Sequence, residues 1–337
     1  MNRQQYLNSI SFRGDGEVNC SVVVYYPVWK QFEKQMEKLK DRFSTISISV
    51  AKDDTKKAGS TTRDIWGCLW SYAQDYLEGQ VVEHPLKDWN SLKSYVPPDP
   101  DGYADWRKAE SDVREAKEKG VLTSGGTEHG FLFLKLAYLR GFENYMMDMA
   151  EKDSRIFELT EMVTEFWMAV VKRYVAMDVD MMNFGDDLGL QKSLPISPAA
   201  WREFIKPSYK KLFSYCRDNG VHVGLHTDGY ILDIIPDLIE CGISILNPQD
   251  LVNGIDNLES LAKGKVALNL DIDRQKLTFF GKKQEINEHI LNCIKTLGSP
   301  QGGLSLIWGV YPGTPLENIE AVLSAMEKYR LLWKNKQ

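Results

Sequence analysis

Cysteine is scarce in this 337-residue chain. There are five, at Cys20, Cys68, Cys216, Cys241 and Cys293, an odd number with no CxxC or other paired spacing. That leaves no disulfide framework and no sulfur-only zinc site, and it suits a reducing, cytoplasmic compartment. Long apolar runs are missing as well. No stretch approaches about 18 consecutive apolar residues, and the opening MNRQQYLNSISFRGDGEV lacks the apolar core of a secretory signal, so no membrane association is expected. Nor is there a surplus of positive charge: 41 Lys and Arg stand against 47 Asp and Glu, giving a formal net charge of −6. The basic residues are mixed with acids, as in Lys34–Lys40 and Lys108–Lys119, which marks solvated helix faces and argues against nucleic acid as a partner. Four motifs are absent too: GxxxxGK[ST], GxGxxG after a strand, HExxH and GxSxG. Phosphate cradling, dinucleotide hydride transfer and serine hydrolysis lose their usual signatures.

What is present is organised in two parts. Residues 1–115 are irregular and rich in aromatics. They hold an apolar run, VNCSVVVYYPVW, an alternating run, STISISV, and the proline-punctuated loop YVPPDPDGY. Residues 116–337 fall into a strand–loop–helix rhythm that repeats every 25 to 45 residues or so, the signature of parallel βαβ units. Counting the amino-terminal strands gives about eight. The expected fold is α/β, a (β/α)₈ TIM barrel in one domain spanning 1–337 with an irregular N-terminal extension.

Polar motifs cluster where such a barrel keeps its chemistry, in the loops after strands. GDDLG (Gly185–Gly189) sets Asp186 and Asp187 after the apolar DMMNF, so that one acid faces the barrel mouth while the other caps a turn. HTDG (His226–Gly229) ends an apolar run with His226 and Asp228 on one face of the chain, as a metal-ligand pair or as a general acid–base with an orienting acid. His222 lies deeper on the same face and reads as core. NPQD and DIDRQ follow the next two strands, and Arg274 is the cation there able to grip a carboxylate or phosphate. TEHG offers His129 at a helix start, and WGVYPG brings Trp308 and Tyr311 to the last strand end, where aromatics suit a flat ligand. Each has a bland alternative as a turn residue, satisfied core group or surface ion pair.

The run NFGDDLGLQKSLPISPAAWREFIKPSYKKLF, the strand ending HTDG and the segment IIPDLIECGISILNPQD together resemble the uroporphyrinogen decarboxylase superfamily. RDIWGCLW, HPLKDWNSLKSYVPPDPD, LAYLRGFENYMMDMAEK and GGLSLIWGVYPGTPLENIEAV match its wider pattern from about residue 60 onward. The resemblance implies a (β/α)₈ barrel with a deep cleft at the carboxyl ends of its strands. True uroporphyrinogen decarboxylases carry an amino-terminal RPPVWxMRQAGRY segment that grips the porphyrinogen carboxylates. Here that region reads VVVYYPVWKQFEKQMEKL, with no arginine between Arg13 and Arg42.

The other branch exchanges methyl groups with a corrinoid protein. Its thiol-activating members hold zinc with HxC and a later cysteine, whereas this chain has Asp228 in place of the first cysteine and Trp308–Gly309 near the second. Thiol acceptors such as coenzyme M are therefore not expected. The resemblance implies instead a corrinoid-dependent O-demethylase, with zinc as a Lewis acid on an ether oxygen. Its catalytic set would be His226, Asp187 and Asp228, and its metal set His226, Asp228, Asp187 and Glu203. Asp186, Trp66, His129, Arg274, Trp308 and Tyr311 would bind an aromatic or flat substrate. The implied partner is a corrinoid protein. Two alternatives stay open: a decarboxylase or lyase on a small acid gripped by Arg274 or Arg140, and a non-catalytic binding barrel.

Overall fold

A computed structural model describes residues 2–334. Eleven strands occur along them: β1 Asn19–Tyr25, β2 Ser47–Ala51, β3 Thr61–Arg63, β4 Leu69–Ser71, β5 Gln80–Glu83, β6 Ser124–His129, β7 Met181–Gly185, β8 His222–Thr227, β9 Ile245–Pro248, β10 Ala267–Asp271 and β11 Leu304–Val310. Eight of them form one sheet in the order β2-β1-β11-β10-β9-β8-β7-β6, and every pairing in it is parallel. The intervening helices make it the expected α/β barrel. Among the described residues no ladder joins β2 to β6, so the barrel has a seam there.

The seam coincides with the longest connection. Between β2 and β6 the chain builds a separate antiparallel sheet, β3-β4-β5, and a helix, Trp106–Glu118. One tyrosine from this insertion reaches the β6 edge, where the Tyr103 hydroxyl donates to the Gly126 carbonyl at 3.3 Å. The small sheet went unanticipated because its strands are three or four residues long and mostly exposed, without the apolar alternation that marks a strand.

Barrel strands read as expected for a sheet buried on both faces. β8 is buried at Val223, Gly224, Leu225 and Thr227, with its two histidines half-open at either end. Outside it, the helix Arg155–Ala176 buries Ile156, Leu159, Val163, Phe166, Trp167 and Val170, three and four residues apart. Ser197 caps the helix Pro198–Phe204 by accepting from the Ala200 amide, with proline at the first turn. After TEHG come two helices, Phe133–Arg140 and Phe142–Glu151, broken at Gly141, whose φ is 85°. All five cysteines are buried and unpaired, and no helix among the described residues is long and apolar enough to cross a membrane.

Candidate active site

Register across the sheet brings the two mouth histidines together. His129 pairs level with Gly185, Gly185 with His226, and His226 with Asn247, so four neighbouring strands contribute one row. A bulge in β6 between Gly126 and His129 sets His129 at that level. The residue between the histidines has no side chain, and a Cβ at Gly185 would sit 2.9 Å from His129 Nδ1. Glycine is what allows the two imidazoles to approach with ring centroids 5.6 Å apart. TEHG is thus a strand end, and the expectation of a helix start there is corrected.

The amide of Asn247 orients His226. Its Nδ2 donates to the Asn269 carbonyl, which leaves Oδ1 as the acceptor facing His226 Nδ1 at 2.9 Å. Nδ1 therefore carries a hydrogen, and Nε2 is the nitrogen turned to Asp228. Nε2 lies 3.5 Å from Asp228 Oδ1, a buried oxygen with no hydrogen-bond partner among the described residues. A charged imidazole would donate across that gap, whereas a neutral one would leave two lone pairs that a cation could share.

The adjacent acids of GDDLG separate in role. Asp187 reaches the mouth, where Oδ2 is 3.1 Å from His129 Nε2 and Oδ1 accepts from the Asp228 amide at 3.1 Å. Burial opposes charge on both groups, yet their mutual hydrogen bond and attraction win. The Asp187 carboxyl is held below its usual range and the His129 imidazole above its own. Asp186 is fully buried and caps the start of the helix Phe133–Arg140, accepting from the Phe133 and Leu134 amides at 2.6 and 2.9 Å and from the Tyr209 hydroxyl at 2.8 Å. Burial pushes it up to about 6 against those three donors. It does not line the cleft, which corrects its assignment to substrate.

The opposite rim is built around Arg274. Its guanidinium donates to Asp228 Oδ2 at 2.5 Å and to Asp271 Oδ2 at 2.6 Å, and lies over the Tyr311 ring at 5.4 Å from the centroid. Tyr311 stacks on Tyr25 with centroids 4.2 Å apart, and its hydroxyl donates to that of Tyr25 at 2.8 Å. One cation shared by two carboxylates leaves one acid uncompensated. Burial, with Asp228 and Asp250 nearby, pushes Asp271 up to about 7 in spite of Arg274. Between the rims opens a cleft of about 220 Å³, lined by Tyr25, His226, Asn247, Asp271, Arg274 and Tyr311.

Three assigned residues lie elsewhere. Trp308 is fully buried, because alternation along β11 turns Ile307 and Gly309 into the cleft and the indole toward the helices. Trp66 is 1% exposed and packs on Phe166, its indole donating to Glu128, which also holds the buried Lys135 at 2.7 Å. Glu203 projects from the helix Pro198–Phe204 to an exposed ion pair with Lys152 at 2.9 Å and belongs to no ligand cluster. Sequence reasoning missed Tyr25 and Asp271 as site residues. The strand-end position of DIDRQ pointed to Asp271, and the run VVVYYP ends in Tyr25.

Two overlapping groups can hold a cation at the mouth. His129, Asp187 and His226 form one, and His226, Asp228 and Asp271 the other. In each group the ligand atoms lie within 4.8 Å of one another. Three carboxylates, Asp187, Asp228 and Asp271, and two imidazoles share this mouth with the one guanidinium of Arg274, so the donor set fits zinc, through nitrogen and oxygen rather than sulfur.

The family profile described as uroporphyrinogen decarboxylase (URO-D) matches residues 67–329. Among solved structures, a methyltransferase from Methanosarcina mazei is similar with a TM-score of 0.65 at 16% identity, over 98% of this chain and 99% of that one. An endo-β-1,4-xylanase from Gloeophyllum trabeum aligns with a TM-score of 0.44 at 9% identity, over 94% of this chain and 98% of that one. No curated protein sequence matches.

Proposed function

Since the chain belongs to the uroporphyrinogen decarboxylase family, we propose that it is a methyltransferase which removes a methyl group from the oxygen of a small, flat substrate and passes it to a corrinoid on a partner protein. The observation that carries this reading is His226 Nε2 lying 3.5 Å from Asp228 Oδ1, a buried oxygen without a hydrogen-bond partner among the described residues, with Asp271 in the same ligand group. Zinc held by His226 and Asp228, with Asp187 and Asp271 in reach, would supply Lewis acidity toward an ether oxygen. The absence of cysteine from the mouth supports an oxygen substrate over a thiol.

The chain's own residues do the rest. Asn247 holds the His226 tautomer. Tyr25 and Tyr311 flank the cleft as a stacked pair against which a flat ring can lie. The oxygen that loses its methyl group gains negative charge and needs a proton. His129, whose hydrogen bond to Asp187 raises its affinity for a proton against the effect of burial, is the group able to hold one near neutral pH. A corrinoid on a partner protein would supply the cobalt that accepts the methyl group. The lyase reading is weakened because Arg274 is committed to two carboxylates and Arg140 is buried against Asp148 at 2.6 Å, so neither is free to grip a substrate acid.

The test is methyl transfer from methoxybenzoates to free cob(I)alamin, followed by the loss of its absorbance, with metal-stripped and zinc-loaded protein. Zinc-dependent methylcobalamin formation is expected. Zinc-free protein that turns over equally well would overturn the metal role, and release of carbon dioxide from the same acids without methyl transfer would overturn the reaction.

A further inference from the structure

A second group of ligand-type side chains lies outside the cleft. Asp250 opens the short helix Asp250–Asn253 that follows β9, and His289 and Cys293 stand one turn apart on one face of the helix Lys283–Leu297. His289 Nε2 is 2.6 Å from Asp250 Oδ2 and 3.4 Å from Cys293 Sγ, and all three ligand atoms lie within 4.8 Å of one another. Asp250 is 1% exposed and Cys293 fully buried. The other carboxylate oxygen, Oδ1, accepts from the Leu251 amide at 2.5 Å, which fixes the carboxyl's direction.

One nitrogen is asked to serve two partners. If Nε2 carries a hydrogen for the carboxylate, it has no lone pair for the thiol. If it is bare, the carboxyl must hold the proton. We propose that Asp250, His289 and Cys293 form a second cation site, one that takes zinc or a similar borderline-soft divalent ion and clamps the helix Lys283–Leu297 to the end of β9. The charges balance: one carboxylate, one thiolate and one neutral imidazole cancel a divalent ion, as a buried site requires. The cation would displace the thiol proton and the proton between Asp250 and His289. Without it, burial keeps the Cys293 thiol well above its ordinary range, protonated and unreactive.

Cobalt(II) separates this site from the one at the mouth, which contains no sulfur. Metal-stripped full-length protein is titrated with cobalt(II) and followed by absorbance. The expected result is a near-ultraviolet thiolate-to-cobalt band that saturates by two equivalents, once both sites are filled, is displaced by zinc and is lost in Cys293→Ser. Should that variant fail to fold, His289→Gln gives an independent reading, with cobalt affinity at this band falling at least about tenfold. A wild-type protein with no thiolate band, or a band unchanged in both variants, overturns the proposal. Methyl transfer is not part of the readout, so either result leaves the reading of the cleft to its own test.

Discussion

The rim of the barrel supplied by β6, β7 and β8 carries two imidazoles and two carboxylates, whereas the rim supplied by β10, β11 and β1 carries one guanidinium over Tyr311, the Tyr25–Tyr311 pair and the carboxylate of Asp271. The first rim holds a buried carboxylate oxygen with no hydrogen-bond partner among the described residues, and on the second the guanidinium and both tyrosine hydroxyls are committed. Unsatisfied groups held rigidly are costly to the fold and useful to chemistry, while satisfied aromatic surfaces position ligands at little cost. The comparison therefore places most of the ligand and proton chemistry on one side of the cleft and the aromatic binding surface on the other, with Asp271 the acid that reaches across.

The largest expected effect comes from breaking the first rim. His226→Ala should lower methyl transfer at least about 100-fold with little change in melting temperature, since its ring is half-open and packs on little. Full activity, or unfolding, would make His226 structural.

Next, the neighbouring acids can be set against each other. Asp187→Asn should cost activity by a factor of about 100 and leave stability nearly unchanged. Asp186→Asn should do the reverse, costing about 1–3 kcal/mol in chemical denaturation, because the Phe133 and Leu134 amides donate to different carboxylate oxygens and the asparagine nitrogen must face one of them. Equal effects of the two substitutions on activity would erase the distinction.

A smaller effect lies in the pH dependence of stability. Asp271 titrates near about 7 when folded, against an ordinary value of about 3.9. The folded state therefore binds its proton more tightly than the unfolded chain. This group's contribution is full below about pH 4 and is lost as the pH rises through about 7. Asp271→Asn should flatten the fall in stability between about pH 5 and 7 by at most about 1.4 kcal/mol per pH unit. An unchanged slope in urea titrations would place the Asp271 carboxyl back in the normal range. The smallest effect is expected on the second rim: Tyr311→Phe removes one hydroxyl contact and should raise KM a few-fold at constant kcat, about 1 kcal/mol or less.

How far the sequence could be read follows the same division. Apolar runs ended by polar loops located the strand ends, and with them His226, Asp228, Asp187, Arg274 and Tyr311 around one mouth. The eight-stranded parallel sheet followed from the repeat, and the URO-D profile from motifs spread along the chain. Failures came where phase mattered more than position. Trp308 and Gly309 differ by one residue, and that single step of alternation decides which enters the cleft. Asp186 and Asp187 posed the same choice, and no pattern in GDDLG settles which acid turns inward. Glu203 required the phase of a seven-residue helix relative to the barrel. The tautomer-setting role of Asn247 and the spacer role of Gly185 depend on register between strands far apart in sequence, which no local pattern carries.

Both terminal glycines of GDDLG and HTDG touch. A Cβ at Gly229, where φ is +83°, would overlap the backbone of Gly189, and one at Gly189 would meet Tyr230 and Gly229. The loops are further tied by the Gly189 amide on the Asp228 carbonyl at 3.1 Å and the Tyr230 amide on the Leu190 carbonyl at 2.7 Å. Main chain thus lies against main chain with no side chain between to act as a bearing. The two loops that carry Asp187 and His226 must travel as a single body. Any closing over a bound substrate then falls to the other rim, and an insertion in one of these loops would have to be matched by a change in its neighbour.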